Sequence, residues 1–169
     1  MSGAGKSTLS GSLAQILTEG GSKVEVLDGD DVRTHLSKGL TFSKEDRDTN
    51  VMRIGWVAQL LARNGIIAMT AAISPYTEVR NEVRAMHELR GIPFVEIYAC
   101  ATVEALATRD VKGLYKKALA GEIAHFTGIT DPYEVPDKPE ITVKTDSETV
   151  QQSLEAILSY LRSRGLLNT

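Results

Sequence analysis

Cysteine is almost absent: Cys100 is the single one among 169 residues. One thiol forms no internal disulfide and cannot build a cysteine-based zinc site. Such usage suits a reducing compartment, so a cytoplasmic location is expected. Long apolar runs are lacking too. The longest, residues 65–73, is about half of the ~20 residues a membrane helix needs. The first residues hold glycines and a lysine where a signal peptide has a basic and then an apolar region. Neither a secretory signal nor a membrane partner is expected. Nor is there an excess of one charge: 19 Lys+Arg stand against 22 Asp+Glu, a net charge of −3. A nucleic-acid surface needs a basic face, so no nucleic-acid partner is expected. A local basic pocket for a small anion stays open.

What is present is globular. Hydrophobic residues are 42% and charged residues 24%, well outside the composition of disordered chains. The length suits one domain over residues 1–169, with about 70% of the unfolded surface buried. No repeat, low-complexity tract or linker interrupts it. Short β-branched runs alternate with amphipathic stretches, which reads as α/β with a parallel sheet flanked by helices. Helices are predicted over 5–19, stopped by Gly20-Gly21, and over 31–37, 44–63, 75–90, 102–108, 113–120 and 148–164. Ser43 with Asp46 resembles a capping box for the long helix. Strands are predicted over 23–27, 66–73, 94–99 and 141–144. The 66–73 run is nearly continuous in apolar residues, as in a strand buried on both faces. Residues 121–139, rich in glycine and proline, form a loop long enough for a lid. The lid region is placed at about 110–139.

The most informative segment is Ser2-Gly3-Ala4-Gly5-Lys6-Ser7, which matches the end of the P-loop pattern G-x-x-x-x-G-K-S/T. Glycines let backbone N–H groups approach phosphate oxygens. The helix that follows turns its positive end to the anion. Lys6 supplies a point charge to the β- and γ-phosphates, and the Ser7 hydroxyl is placed to ligate Mg²⁺. The pattern's first glycine would stand one position before Met1. The strand that normally precedes a P-loop is missing as well. The expected fold is therefore a three-layer P-loop NTPase whose first, central strand is absent, in a chain that begins inside its domain.

The 23–27 strand runs into Asp28-Gly29-Asp30. Ligands of open α/β sheets bind at the carboxyl ends of strands, so both carboxylates should face the site. One can act on an acceptor hydroxyl and the other can organise the metal shell. Arg33 follows on the face of Asp30. Phe42, Arg47 and Asn50 come next, and Arg47 and Asn50 point the same way. Arg33 and Arg47 suit an anionic second substrate, because guanidinium grips phosphate or sulfate in a fork. Read alone, the Asp28-Gly29-Asp30 turn could be capping aspartates, and Arg47 could pair with Glu45 or Asp48 at the surface.

The segments SGAGKST, LDGDDVR, FSKEDRDTN, ISPY, KGLYKKALAGEI, FTGI and DPYE stand in an order that resembles the adenylylsulfate kinases over about residues 2–144. LSKGLTFSKEDRDTN and ITDPYE look most like the kinase domain of proteins fused to a sulfate adenylyltransferase. The resemblance implies transfer of the ATP γ-phosphoryl to the 3′-hydroxyl of adenylylsulfate. It implies that Gly3, Ala4, Gly5, Lys6, Ser7 and Thr8 hold ATP phosphates and Mg²⁺, with Arg109 against the ATP base. Asp30 is then the base, and Asp28 supports waters on the metal. Arg33, Arg47 and Asn50 hold the phosphosulfate, and Phe42 and Phe126 sandwich the adenine. Ile73 and Ser74 line the acceptor pocket, and Lys112 reaches the phosphates on closure. A homodimer and a fused or associated sulfate adenylyltransferase are the implied partners. Ala72, Val111 and Thr130 depart from the family pattern, which commonly has an aromatic, a proline and an aspartate there.

Other residues read as structural. His87 is expected at the surface, Trp56 packed, and Cys100 a small buried side chain. The Arg80, Arg84 and Arg90 series with Glu82 and Glu88 reads as a solvated helix face. His125, beside Phe126, could touch substrate. Two other functions remain open: a small-metabolite kinase of the gluconate or shikimate type, and a degenerate nucleotide-binding regulatory module.

Overall fold

The computed structural model describes residues 1–110 and 113–167. The elements run α1 (Lys6–Glu19), β1 (Val24–Asp28), α2 (Gly29–His35), α3 (Lys44–Ala62), β2 (Ile67–Ala71) and α4 (Thr77–Glu88). They continue β3 (Ile97–Cys100), α5 (Val103–Arg109), α6 (Leu114–Leu119), β4 (Ile141–Lys144) and α7 (Val150–Ser163).

All strand pairs are parallel, and they fall into two ladders. β1 pairs with β2, Val24 opposite Ile67 and Asp28 opposite Ala71. β3 pairs with β4, Ile97 opposite Ile141 and Cys100 opposite Lys144. Among the described residues no ladder joins β2 to β3. A cavity of about 560 Å³ runs between them, lined by apolar side chains that include Leu13, Met69, Ala99 and Ile157. This is the arrangement expected of a sheet without its central strand.

Helices flank the strands. Leu9, Leu13 and Leu17 of α1 pack with Ile141 and Val143 of β4 and with Leu154, Ile157 and Leu158 of α7. Burying a leucine of this kind contributes roughly 1.5–3 kcal/mol. On α3 and α4, Val51, Val79 and Val83 form a second cluster with Tyr76. The two helices approach so closely that a Cβ on Gly55 would lie 2.7 Å from Val83 Cγ1. Helix starts follow their caps. The Ser43 hydroxyl accepts from the Asp46 amide at 3.2 Å to open α3, and Thr149 with Gln152 forms a full capping box on α7.

Several expectations change. Trp56 is 56% exposed, because its position falls off the apolar stripe of α3. His87 is 4% exposed; its Nδ1 lies 2.8 Å from the Val83 carbonyl and its ring tilts against Phe94. Arg80 and Arg84 are not a solvated face. Arg80 pairs with Glu96, and Arg84 with Glu96 and Glu140. β3 begins at Ile97 rather than residue 94, and the Glu96 amide donates to the Glu140 carboxylate at 2.6 Å instead of joining a ladder.

Candidate active site

Residues 1–7 turn from an irregular loop into α1. Gly3 at φ 69° and Gly5 at φ 79° occupy the left-handed region, where a side chain is strained. Space is not the constraint, since a Cβ on Gly5 would reach Thr145 only at 3.6 Å. Ala4, between them, is buried with Leu106, Tyr115 and Phe126, which ties the loop to the core. Lys6 Nζ donates to the Met1 carbonyl at 2.7 Å, closing the loop on itself. Thr8 is exposed one residue beyond Ser7.

The C-terminal end of β1 meets this loop. The Ser7 hydroxyl donates to Asp28 Oδ2 at 2.6 Å. The other Asp28 oxygen accepts from the Asp30 amide at 3.0 Å and caps α2. Asp30 thereby sits exposed on the first turn of α2. The capping reading of this turn holds for Asp28, whose side chain also reaches the loop through Ser7. Ser7 and Asp28 place two oxygens together beside the loop. That donor set fits Mg²⁺, which takes one or two protein oxygens and otherwise water and phosphate. Among the described residues no cluster of three His, Cys, Asp or Glu side chains forms a dedicated metal cage.

Beyond α2 lies a cationic corner. The turn at 41–46 is held by Asp46, which accepts from the Thr41 hydroxyl and amide at 2.5 and 2.7 Å. Those two bonds hold the Asp46 carboxyl below its ordinary value. The turn presents Phe42, 52% exposed. The Arg33 guanidinium lies 4.3 Å and that of Arg47 5.3 Å from the Phe42 ring centre. Arg33 donates to the Leu40 and Thr41 carbonyls. Arg47 Nε donates to the Phe42 carbonyl and Nη2 to the His125 carbonyl at 2.5 Å. The surface pair with Glu45 or Asp48 does not form: Arg47 is buried, and neither arginine is ion-paired among the described residues. Burial pulls the Arg33 guanidinium below its usual value, and the nearby Arg47 charge adds to this. Two under-neutralised cations favour an anion. Asn50, one turn beyond Arg47, is 5% exposed and its Oδ1 has no hydrogen-bond partner. Such a buried orphan costs about 1–3 kcal/mol, which a ligand's donor would offset.

Ile73 and Ser74 follow the end of β2 and line the upper end of the inter-strand cavity. Phe126 is buried and meets Tyr115 edge-on at 4.9 Å; among the described residues no ring contact pairs it with Phe42. Thr130 has a local use, its hydroxyl accepting from the Phe126 amide at 2.8 Å. Arg109 donates to the Thr145 carbonyl and lies 3.5 Å from its hydroxyl, on the flank of Gly5. Lys112, with Val111, lies outside the described residues. Thr145 was not singled out by sequence; its only signal is its place just after a strand's carboxyl end.

Comparison with known proteins supplies context for this geometry. The family profile "Adenylylsulphate kinase" matches residues 1–144. An adenylyl-sulfate kinase of Myxococcus xanthus is 60% identical over 168 residues, 99% of this chain and 90% of that protein. A probable bifunctional SAT/APS kinase of Sorangium cellulosum is 59% identical over 98% of this chain, which spans 28% of that protein. The solved structure of the Mycobacterium tuberculosis APS kinase CysC in complex with AMPPNP and APS superposes with a TM-score of 0.92 at 38% identity, covering 96% of this chain and 93% of that one.

Proposed function

The chain belongs to the adenylylsulfate kinase family, and from that premise we propose how its residues carry out the reaction. ATP and adenylylsulfate are converted to ADP and 3′-phosphoadenylylsulfate. The observation that carries the residue assignment is the Ser7–Asp28 contact at 2.6 Å, which joins the phosphate loop to the turn bearing Asp30.

The backbone N–H groups around Gly3, Ala4 and Gly5 and the start of α1 receive the ATP phosphates. Lys6 exchanges the Met1 carbonyl for phosphate oxygen and neutralises charge at the bond to be broken. Ser7 directly, and Asp28 through water, would hold Mg²⁺, which would supply charge neutralisation to the phosphates. Thr8 and Arg109 complete the nucleotide side. Arg33, Arg47 and Asn50 hold the phosphosulfate of the acceptor, over the face of Phe42. Ile73 and Ser74 form the facing wall, and Phe126 and Lys112 contribute from the 110–139 region.

Asp30 accepts the proton of the 3′-hydroxyl. The 3′-oxygen bonds to the γ-phosphorus, and the bond from that phosphorus to the β,γ-bridging oxygen breaks with its electron pair leaving on ADP. Position and charge do most of this work, since the transferred group needs little covalent help.

The assembly proposed is a homodimer with a fused or associated sulfate adenylyltransferase, which the name of the Sorangium relative supports. Among the described residues no helix is long and apolar enough to cross a membrane; a cytoplasmic site of action is the reading that the cysteine usage supports.

ADP release with ATP, Mg²⁺ and adenylylsulfate, run beside adenosine 5′-monophosphate, gluconate and shikimate, tests the function. Turnover confined to adenylylsulfate is expected. Turnover with gluconate or shikimate, or nucleotide binding with no turnover at all, would overturn it.

A further inference from the structure

One buried cation is not used by the chemistry above. Arg80 stands on the first turns of α4, its side chain 10% exposed. Its guanidinium fork is spread over four groups. Nε pairs with Glu96 Oε1 at 3.0 Å. Nη1 donates to the Ser74 carbonyl at 2.8 Å. Nη2 donates to the Thr77 hydroxyl at 3.0 Å and to the Glu134 carbonyl at 2.9 Å. Ser74 and Glu134 are 60 residues apart in sequence. The first belongs to the acceptor wall, and the second lies in the loop that carries Phe126.

The seam is reinforced on either side of the arginine. The Glu134 amide donates to the Pro75 carbonyl at 2.8 Å. The Glu134 carboxylate accepts from the Thr77 amide at 2.6 Å, at the positive end of α4. Tyr133 stacks on Tyr98 of β3 at 6.1 Å. At its other end the same loop is held where Arg47 donates to the His125 carbonyl. Residues 125–134 thus hang between two arginines, one in the cationic corner and one outside it.

We propose that Arg80 is a positioning residue for the acceptor: it sets the Ser74 wall and the Phe126-bearing loop at a fixed spacing. This rests on the function proposed above. Only a planar, five-donor fork can hold both carbonyls and Glu96 at once; a lysine ammonium keeps the charge but not the geometry. None of Arg80's own partners lies in residues 1–7, which meet the 125–134 loop only through apolar packing of Met1 and Ala4 near Phe126, so a larger effect on the acceptor than on the nucleotide is expected.

The test compares Arg80→Lys with Arg84→Lys, a control on the same helix that shares Glu96 with Arg80 but holds Glu140 rather than the Ser74 and Glu134 carbonyls. Steady-state kinetics, thermal midpoints and amide hydrogen exchange are measured on all three proteins. Arg80→Lys is expected to raise KM for adenylylsulfate about tenfold with KM for ATP within about twofold. It should speed exchange of amides 126–134 while those of 79–87 stay protected. Arg84→Lys should lower the midpoint without shifting either KM. A rise in both KM values together, or a lower midpoint with unchanged KM and unchanged loop exchange, would overturn the proposal. If the wild type does not turn over adenylylsulfate, the functional reading fails by itself. The exchange data then still decide whether Arg80 couples the two segments.

Discussion

The Ser7 hydroxyl and the Asp28 carboxylate share a hydrogen bond of 2.6 Å although 21 residues separate them. One comes from the first turn of α1 and the other from the last residue of β1. Because α1 packs against β1 and β2, the bond positions the phosphate loop over the strand ends. Asp28 at the same time orients α2, and with it Asp30 and Arg33. The bond thus joins the phosphate loop to the turn that bears Asp30 and Arg33 before any ligand binds, and such preorganisation lowers the ordering cost of a reaction.

Ser7→Ala removes the hydroxyl that the loop offers to a metal and takes away one of the contacts of Asp28. The Mg²⁺ concentration needed for half-maximal turnover should rise about tenfold to 100-fold. A Mg²⁺ titration of initial rates checks this. An unchanged titration would take Ser7 out of the metal-holding role.

Asp30→Asn keeps the shape of α2 and its cap, which is made by Asp28 rather than Asp30. Turnover should be lost with ATP binding nearly intact. Nucleotide titration beside single-turnover kinetics separates the two. Retention of more than about a tenth of kcat, against the 10²–10⁴ a general base contributes, would remove Asp30 from that role.

Gly55→Ala sets two effects against each other. Alanine is favoured over glycine inside a helix by about 1 kcal/mol. The new Cβ would stand 2.7 and 2.8 Å from the two Val83 methyl carbons, and overpacking of that kind costs about 1–3 kcal/mol. The methyls sit on a short branched side chain that cannot swing away, so packing wins. A net loss of about 1 kcal/mol, or roughly 2–4 °C in Tm for a chain of this size, is expected by calorimetry. Adding Val83→Ala should remove the penalty of the Gly55 change in a double-mutant cycle.

The Glu140 carboxylate accepts both Arg84 terminal nitrogens, at 2.7 and 2.8 Å. Burial alone would raise its pKa, but the Arg84 guanidinium and the Glu96 amide outweigh it and hold it below the ordinary 4.5. A carboxyl depressed in the folded state stabilises the fold above its unfolded value and loses that stabilisation as pH falls through the folded one. Glu140→Gln should cost about 2 kcal/mol near neutrality. Its Tm should also fall less steeply than the wild type's below about pH 4.5. Parallel Tm profiles would contradict this.

Local signals were read well where the cause is local. Glycines at 3 and 5 announce a backbone that needs left-handed φ, and Ser43 announces the start of α3. The sequence pattern puts the start of α7 at residue 148, whereas the capping box of Thr149 and Gln152 opens the helix at Val150. Trp56 shows how a stripe can be over-read: 54, 57, 60 and 61 lie on the apolar side, and 56 does not. For His87 the neighbours on α4 are polar, and nothing near it in sequence announces Phe94 as a cover. Arg80 and Arg84 have glutamates at helical spacing, so a solvated face was the natural reading. Their actual partners lie 16 and 56 residues away.

Residue types and short spacings by themselves determined the chemistry: a glycine-lysine-serine loop for phosphate, paired aspartates at a strand end, arginines for an anion. These depend on φ preferences, helix period and the parity of strands, all of which act over a few residues. Tertiary structure alone decided the burial of the Arg47 and Arg80 side chains and the edge-on placement of Phe126 against Tyr115. Those outcomes turn on which distant carbonyl, carboxylate or ring fills each remaining hydrogen bond and contact, and only the packed chain settles that.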